Sequence, residues 1–259
     1  LDAEPIALNA GADFALAILP TDDSTDQLIV VAPDLYSRGG FGIVNAVQAP
    51  KNPRALALSP DNQWALVSGS DGYITLALAA ADSIESSALI PTGDAPVTAA
   101  ALTDAVALLA REGIPEITVY SLSTNRFAQD QPRILALEAP ATALALNADA
   151  TLGAVALDDH RLSLFRPSDL TLLGTIPLED GPVRKLRFLN DGERQILALM
   201  VENRPAVMLL DVTDPQNVSL PGSAGTNRGS PIRDIATYNG TLVLSDGDSV
   251  QLLQSSDVP

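Results

Sequence analysis

Residues 53–96 read PRALALSPDNQWALVSGSDGYITLALAAADSIESSALIPTGDAP. Four short, largely apolar runs stand in this stretch: Arg54–Ser59, Trp64–Gly69, Tyr73–Ala79 and Ala88–Pro91. The joints between them are Ser59-Pro60-Asp61-Asn62, Ser70-Asp71-Gly72 and Ala81-Asp82-Ser83. Proline, Asp, Asn and Gly preset or tolerate the backbone angles of tight turns, so the stretch reads as four antiparallel strands, a to d. Short runs that stay apolar throughout, such as Leu28–Val31 and Ile196–Val201, are expected where both faces of a strand are buried.

The unit repeats through the chain. Pro5, Pro53, Pro96, Pro140, Pro182 and Pro231 each open an apolar strand, at steps of 48, 43, 44, 42 and 49 residues. A small polar turn after the third strand keeps the same period: Asp34, Asp82, Asn125, Asp169, Asp214 and Asp257, at steps of 48, 43, 44, 45 and 43. Four strands every 40 to 50 residues is the sequence signature of a β-propeller blade. The expected architecture is all-β: one propeller domain over 1–259 with six four-stranded blades, approximately 5–52, 53–95, 96–139, 140–181, 182–230 and 231–259. The last blade stops after its third strand. Its outer strand is then either borrowed from Leu1–Glu4, pairing with Val250–Gln254, or supplied by further chain; the first reading is preferred. The chain opens on Leu1 rather than Met, which reads as processing or trimming.

The stretch from Leu58 to Pro96 resembles the YVTN-type propeller repeat, in which Ser-Pro-Asp-Gly precedes the second strand. Here Asn62 stands where that Gly would, and Tyr-Val-Thr-Asn itself is absent. AVMLLDVTDPQNVSLPG, residues 206–222, is similar to the LVIVD-type repeat of bacterial surface and exported proteins. The resemblance implies a WD40-like propeller and a periplasmic or cell-surface location. Such folds carry many functions, so it implies no particular activity.

Composition narrows the partners. The 259 residues carry a net charge of −17, which repels nucleic acid and anionic membranes and suits a basic protein or a divalent cation. No apolar run reaches the roughly 18 residues of a membrane helix, so membrane insertion is not expected. With no cysteine there are no disulfides, thiolate metal sites or cysteine nucleophiles. One His, two Met and one Trp do not furnish the axial ligands or aromatic packing of haem and quinone propellers, and no cofactor is expected.

Candidate chemistry is sparse. His160, the single histidine, sits in Leu157-Asp158-Asp159-His160-Arg161, where neighbouring turn residues are poorly placed to form a catalytic pair, and no Gly-x-Ser-x-Gly elbow accompanies it. Three acidic turns invite calcium: Asp22-Asp23 with Asp26, Asn190-Asp191-Gly192-Glu193, and Ser245-Asp246-Gly247-Asp248. None follows the spacing of a calcium loop, and Asp and Gly are the default hairpin residues. A lactonase-like metal hydrolase, the enzyme alternative, needs carboxylates converging from several first strands. Those strands are Ala- and Leu-rich instead, broken by Arg187 and Asp234 with Arg184, Lys185 and Arg233 nearby.

Insertions in a regular repeat often carry function. Two longer third-to-fourth-strand connections, residues 35–42 and 124–131, combine arginine with aromatics, and residues 222–230 form a third insertion on the opposite face. Arginine and aromatic residues are favoured interface anchors. The expected reading is a non-catalytic scaffold that binds another protein through Tyr36, Arg38, Phe41, Arg126 and Phe127, around Ile84 of the intervening unit. Asn227 and Arg228 are the alternative on the other face.

Overall fold

A computed structural model of the chain describes residues 7–10, 15–19, 27–33, 41–60, 63–80, 83–123, 126–127, 132–178, 181–191, 194–226, 229–238, 240–246 and 249–254. These residues form strands, turns and connecting segments, with no helix among them long and apolar enough to cross a membrane. The chain divides into two compact units, 1–133 and 134–259.

In the first unit, β1 (Ala7–Ala10), β2 (Ala15–Leu19), β3 (Gln27–Pro33) and β4 (Phe41–Gln48) form one sheet in chain order. A second follows from β5 (Ala55–Leu58), β6 (Trp64–Ser68), β7 (Tyr73–Ala80) and β8 (Ser83–Ser86). The third contains β9 (Val97–Leu102), β10 (Val106–Arg111), β11 (Glu116–Ser123), β12 (Arg126–Phe127) and β13 (Arg133–Ala136), which begins at the boundary between the units. In the second unit, β14 (Ala141–Leu146), β15 (Gly153–Leu157), β16 (Arg161–Arg166) and β17 (Thr171–Pro177) form a sheet. Another joins β18 (Val183–Asp191), β19 (Arg194–Val201), β20 (Ala206–Asp211) and β21 (Ser219–Gly225). The last consists of β22 (Asp234–Tyr238), β23 (Thr241–Ser245) and β24 (Val250–Gln254). Every pairing with a recorded register is antiparallel between neighbours, the up-and-down blade of a β-propeller.

The expectation of six four-stranded blades is corrected. Five sheets have the three or four strands of a regular blade, and the sheet containing β9 to β13 has five. There β12 and β13 both pair with β11, so two segments share the fourth-strand position. The last sheet shows three strands among the described residues, while Leu1–Glu4, expected to complete it, lies outside them.

The fully apolar strands divide their residues between two cores. On β19, Leu197, Leu199 and Val201 pack with Ala154, Leu162 and Leu164 of the preceding sheet. Ile196, Ala198 and Met200 point the other way, towards Ile235, Leu242 and Leu244 of the next. On β6, Ala65 and Val67 pack with Leu16 and Ile18, whereas Leu66 packs with Val97, Leu102 and Leu109. Alternate side chains of a strand point to opposite faces, so a strand between two sheets needs apolar residues at every position. Each aliphatic side chain fully buried this way contributes roughly 1.5–3 kcal/mol relative to exposure.

Both repeat markers have a structural cause. Three of the strand-opening prolines accept, through their carbonyls, the backbone N–H of an acidic residue after the second strand: Pro96 from Glu112 (2.9 Å), Pro140 from Asp158 (2.9 Å) and Pro182 from Glu202 (3.0 Å). Asp169 and Asp214, the polar turn markers, accept the N–H two residues on, from Thr171 (3.1 Å) and Gln216 (3.0 Å). Asp34, Asp82, Asn125 and Asp257 lie outside the described residues. A third signature went unread in the sequence: Ser59, Thr103 and Asn147, all buried, follow the first strand and accept the N–H of Trp64, Val106 and Leu152 through their side-chain oxygens.

The fourth strand of the second sheet is also corrected. It is β8, Ser83–Ser86, not Ala88–Pro91; Ile90 instead makes an isolated bridge to Tyr73. An outer strand buries one face only, so alternation suffices: Ile84 packs on the core and Glu85 is exposed. That pattern is faint in the sequence, where Ala88–Pro91 is the more apolar run.

Candidate functional site

The first candidate site lies at the third-to-fourth-strand ends of the unit 1–133. Strands β3 and β4 stay paired as far as Pro33 opposite Phe41. Phe41 is therefore the first residue of β4, where a loop had been expected. In the third sheet the insertion folds back onto its own strand: Leu122 stands opposite Phe127 and Ser123 opposite Arg126. Arg126 and Phe127 thus belong to a hairpin instead of an open loop, because the end of β11 offers its backbone groups to them. Ile84, between these two connections, is partly buried and packs against the core that includes Leu16 and Leu76. Tyr36, Arg38, Asn227 and Arg228 lie outside the described residues.

The structure gives His160 a backbone role. The connection from β15 to β16 is Asp158-Asp159-His160, and His160 has φ 63°. Three-residue hairpin loops commonly close on a residue in this left-handed region. The Asp159 carboxylate turns to Arg161, whose Nε donates to it at 2.8 Å; this guanidinium holds the Asp159 carboxyl below the usual range. Arg161 also pairs with Glu138, and the His160 side chain is exposed. Asp159 therefore serves Arg161, not the imidazole.

Acidic turns are occupied by their own neighbours where they are described. Asp246 is buried, and its Oδ1 accepts the Ser249 N–H (2.7 Å) while both carboxylate oxygens take the Ser249 hydroxyl (3.0 Å each). Among the described residues, no three His, Cys, Asp or Glu side chains gather in a group able to hold a metal ion.

The charges that interrupt the apolar first strands come together within the unit 134–259. Lys185 of β18 pairs with Asp234 of β22, 49 residues away, and Asp234 also accepts the Ile235 N–H at 2.8 Å. Arg184 pairs with Glu202 at 2.7 Å. Arg187 donates to the carbonyl of Leu186 at 2.9 Å, and Asp234 attracts it at longer range. Burial pushes the pKa of both Lys185 and Arg187 down; their mutual repulsion adds to the effect on Lys185, and Asp234 opposes it for both.

Comparison with solved structures shows the fold. The β-propeller domain of Myceliophteria thermophila Cps50 (Swd1) is 11% identical with a TM-score of 0.72, covering 98% of this chain and 84% of that one. Chaetomium thermophilum Sqt1, solved bound to the N-terminus of the ribosomal protein L10, is 14% identical with a TM-score of 0.65, over 93% of this chain and 68% of that one. The dihydro-heme d1 dehydrogenase NirN is 17% identical with a TM-score of 0.65; the match covers 97% of this chain but only 55% of that protein. No family model and no curated protein sequence matches the chain. The fold is an all-β propeller of WD40-like kind, and at these identities the likeness extends to the fold alone.

Proposed function

We propose that this chain is a non-catalytic scaffold that binds another protein, through a surface built on the third-to-fourth-strand connections of residues 1–133. The observation that carries this reading is the β11–β12 hairpin. A regular blade runs directly from its third strand to its fourth, whereas here the chain first forms an extra pair that contains Arg126 and Phe127. The connection two sheets earlier closes on Phe41 at the same end of its own hairpin, with Tyr36 and Arg38 in the segment between. An arginine–aromatic surface of this kind supplies anchors that stack and reach carboxylates on a partner. The likeness to Sqt1, solved with a ribosomal protein segment, supports a protein as the partner class. The repeat is read as YVTN/LVIVD-type and the protein as exported or periplasmic, on the repeat residues quoted above.

The test compares proteins retained by the immobilised parent and by a Tyr36→Ala, Arg38→Ala, Phe127→Ala variant that keeps the parent's circular dichroism spectrum. Loss of a true anchor costs about 2 kcal/mol or more, roughly thirtyfold in affinity. A partner held equally by both moves the site, first to Asn227 and Arg228. A calcium-dependent rise in melting temperature together with chelator-sensitive lactone hydrolysis would favour the hydrolase alternative.

A further inference from the structure

We propose that the face of β18 turned towards β22 is a binding site for an oxyanion, a carboxylate or phosphate group of a small molecule, held by Arg187 and Lys185. The strand register sets this face. Arg187 stands opposite Ala198 and Lys185 opposite Met200, and both of those residues belong to the core shared with Ile235 of β22. Their neighbours Leu186 and Leu199 belong to the core on the other side. Lys185 and Arg187 therefore project together towards Asp234, from a strand whose repeat equivalents carry Ala and Leu.

Charge and hydrogen bonding at this face are both incomplete. Two cations meet one carboxylate, and Lys185 takes that carboxylate as its ion pair. Arg187, half-buried, makes one hydrogen bond among the described residues, to the carbonyl of Leu186. A guanidinium has five N–H donors in a planar fork, and a sheltered charge with few partners is costly unless a partner supplies them. An oxyanion fits that fork with two parallel bonds, and Lys185 adds a point charge beside it. Burial lowers the pKa of both groups, so each charge here is disfavoured unless a negative partner compensates it, as Asp234 does in part.

The approach carries the same sign. Arg184 and Arg233 sit at the starts of β18 and β22, both exposed, and the carbonyl of Arg204 accepts the Ile232 N–H at 2.8 Å, which brings the β19–β20 turn to the same end. Among the described residues, Arg184, Lys185, Arg187 and Arg233 stand here with Glu202 and Asp234, in a chain whose net charge is −17. A basic focus on an acidic protein steers small anions to one place and repels them elsewhere.

The experiment titrates the intact protein with inorganic phosphate and, separately, with succinate, by calorimetry and by amide chemical shifts. Saturable binding of either probe is expected, with the largest shifts at Lys185, Arg187 and Asp234. Binding of phosphate alone, succinate alone, or both assigns the preferred oxyanion. Arg187→Gln should weaken binding at least tenfold, while Arg166→Gln, the same charge change at an exposed ion pair with Asp169, should change it less than twofold. No saturable binding of either probe overturns the proposal, as do equal effects of the two substitutions. If Arg187→Gln does not fold, the shift map of the parent decides: perturbations centred away from β18 and β22 overturn it equally.

Discussion

Single residues in this protein are constrained by what the adjacent strand places against them. Gly153 stands opposite Phe165, and a Cβ there would lie 2.4 Å from the edge of its ring. Phe165 is fully buried, so moving its ring disturbs the packing around it. Gly153→Ala should therefore destabilise by about 1–3 kcal/mol through overpacking, read as a fall in melting temperature of about 2–4 °C per kcal/mol for a chain of this size. An unchanged transition would mean that the ring repacks freely. His160 gives the opposite case. Its φ of 63° is strained for a residue with a Cβ, and its side chain is exposed. His160→Gly should raise stability, by up to about 1 kcal/mol after the extra unfolded-state entropy of glycine is set against the relieved strain. A clear loss of stability would show that the imidazole makes a contact of structural value.

At the scale of the element, the turn after the first strand of three sheets is held by a buried side chain acting as a backbone partner. Asn147 accepts the buried Leu152 N–H at 2.9 Å and donates to Thr151 (2.9 Å) and to Gln195 of the next sheet (3.1 Å). Asn147→Ala strands a buried donor, so a loss of about 1–3 kcal/mol is expected in denaturant unfolding. A double-mutant cycle with Gln195→Ala isolates the inter-sheet share; a coupling indistinguishable from zero would reduce that contact to coincidence. The exposed turn aspartates behave differently with pH. Asp169 is held below the usual carboxylate range by the Thr171 N–H, and Asp214 by the Asn217 side chain and then the Gln216 N–H. A depressed folded pKa stabilises above the unfolded value of 3.8 and is lost as pH falls through the folded one. Chemical-shift titration should place both carboxyls below 3.8 in the folded protein. Solvent screening keeps their effect on stability small.

Over the whole molecule, a pH effect is expected on the alkaline side. Tyr73 is buried, with its ring 6.0 Å from that of Tyr120, and burial, reinforced by the hydrogen bond with Tyr120, raises its pKa well above the ordinary 10.0. The folded state thus keeps a proton that the unfolded chain releases. Stability from this group is complete below pH 10 and declines as pH rises beyond it. Absorbance at 295 nm should show one of the four tyrosines ionising together with the loss of circular dichroism at high pH. A Tyr73 that titrates in the folded protein near the ordinary value would contradict its burial.

The repeat and its all-β character were determined by the sequence itself, because turns are local chemistry. Asn239-Gly240 between β22 and β23, with Gly240 at φ 72°, needs no distant partner to be legible, and neither does the proline before each first strand. Continuous apolar runs announced strands buried on both faces for the same reason. The outer strands were harder to read: β8 has one inward residue, Ile84, and β12 exists because the end of β11 accepts it. Arg126 and Phe127 were visible as unusual residues, but not as part of a hairpin. The charges on β18 and β22 were likewise visible as breaks in an apolar pattern. That Asp234 pairs with Lys185 while Arg187 donates to the Leu186 carbonyl was decided by tertiary structure alone. Pairing across 49 residues depends on how two sheets face each other, and no local preference of the chain encodes that.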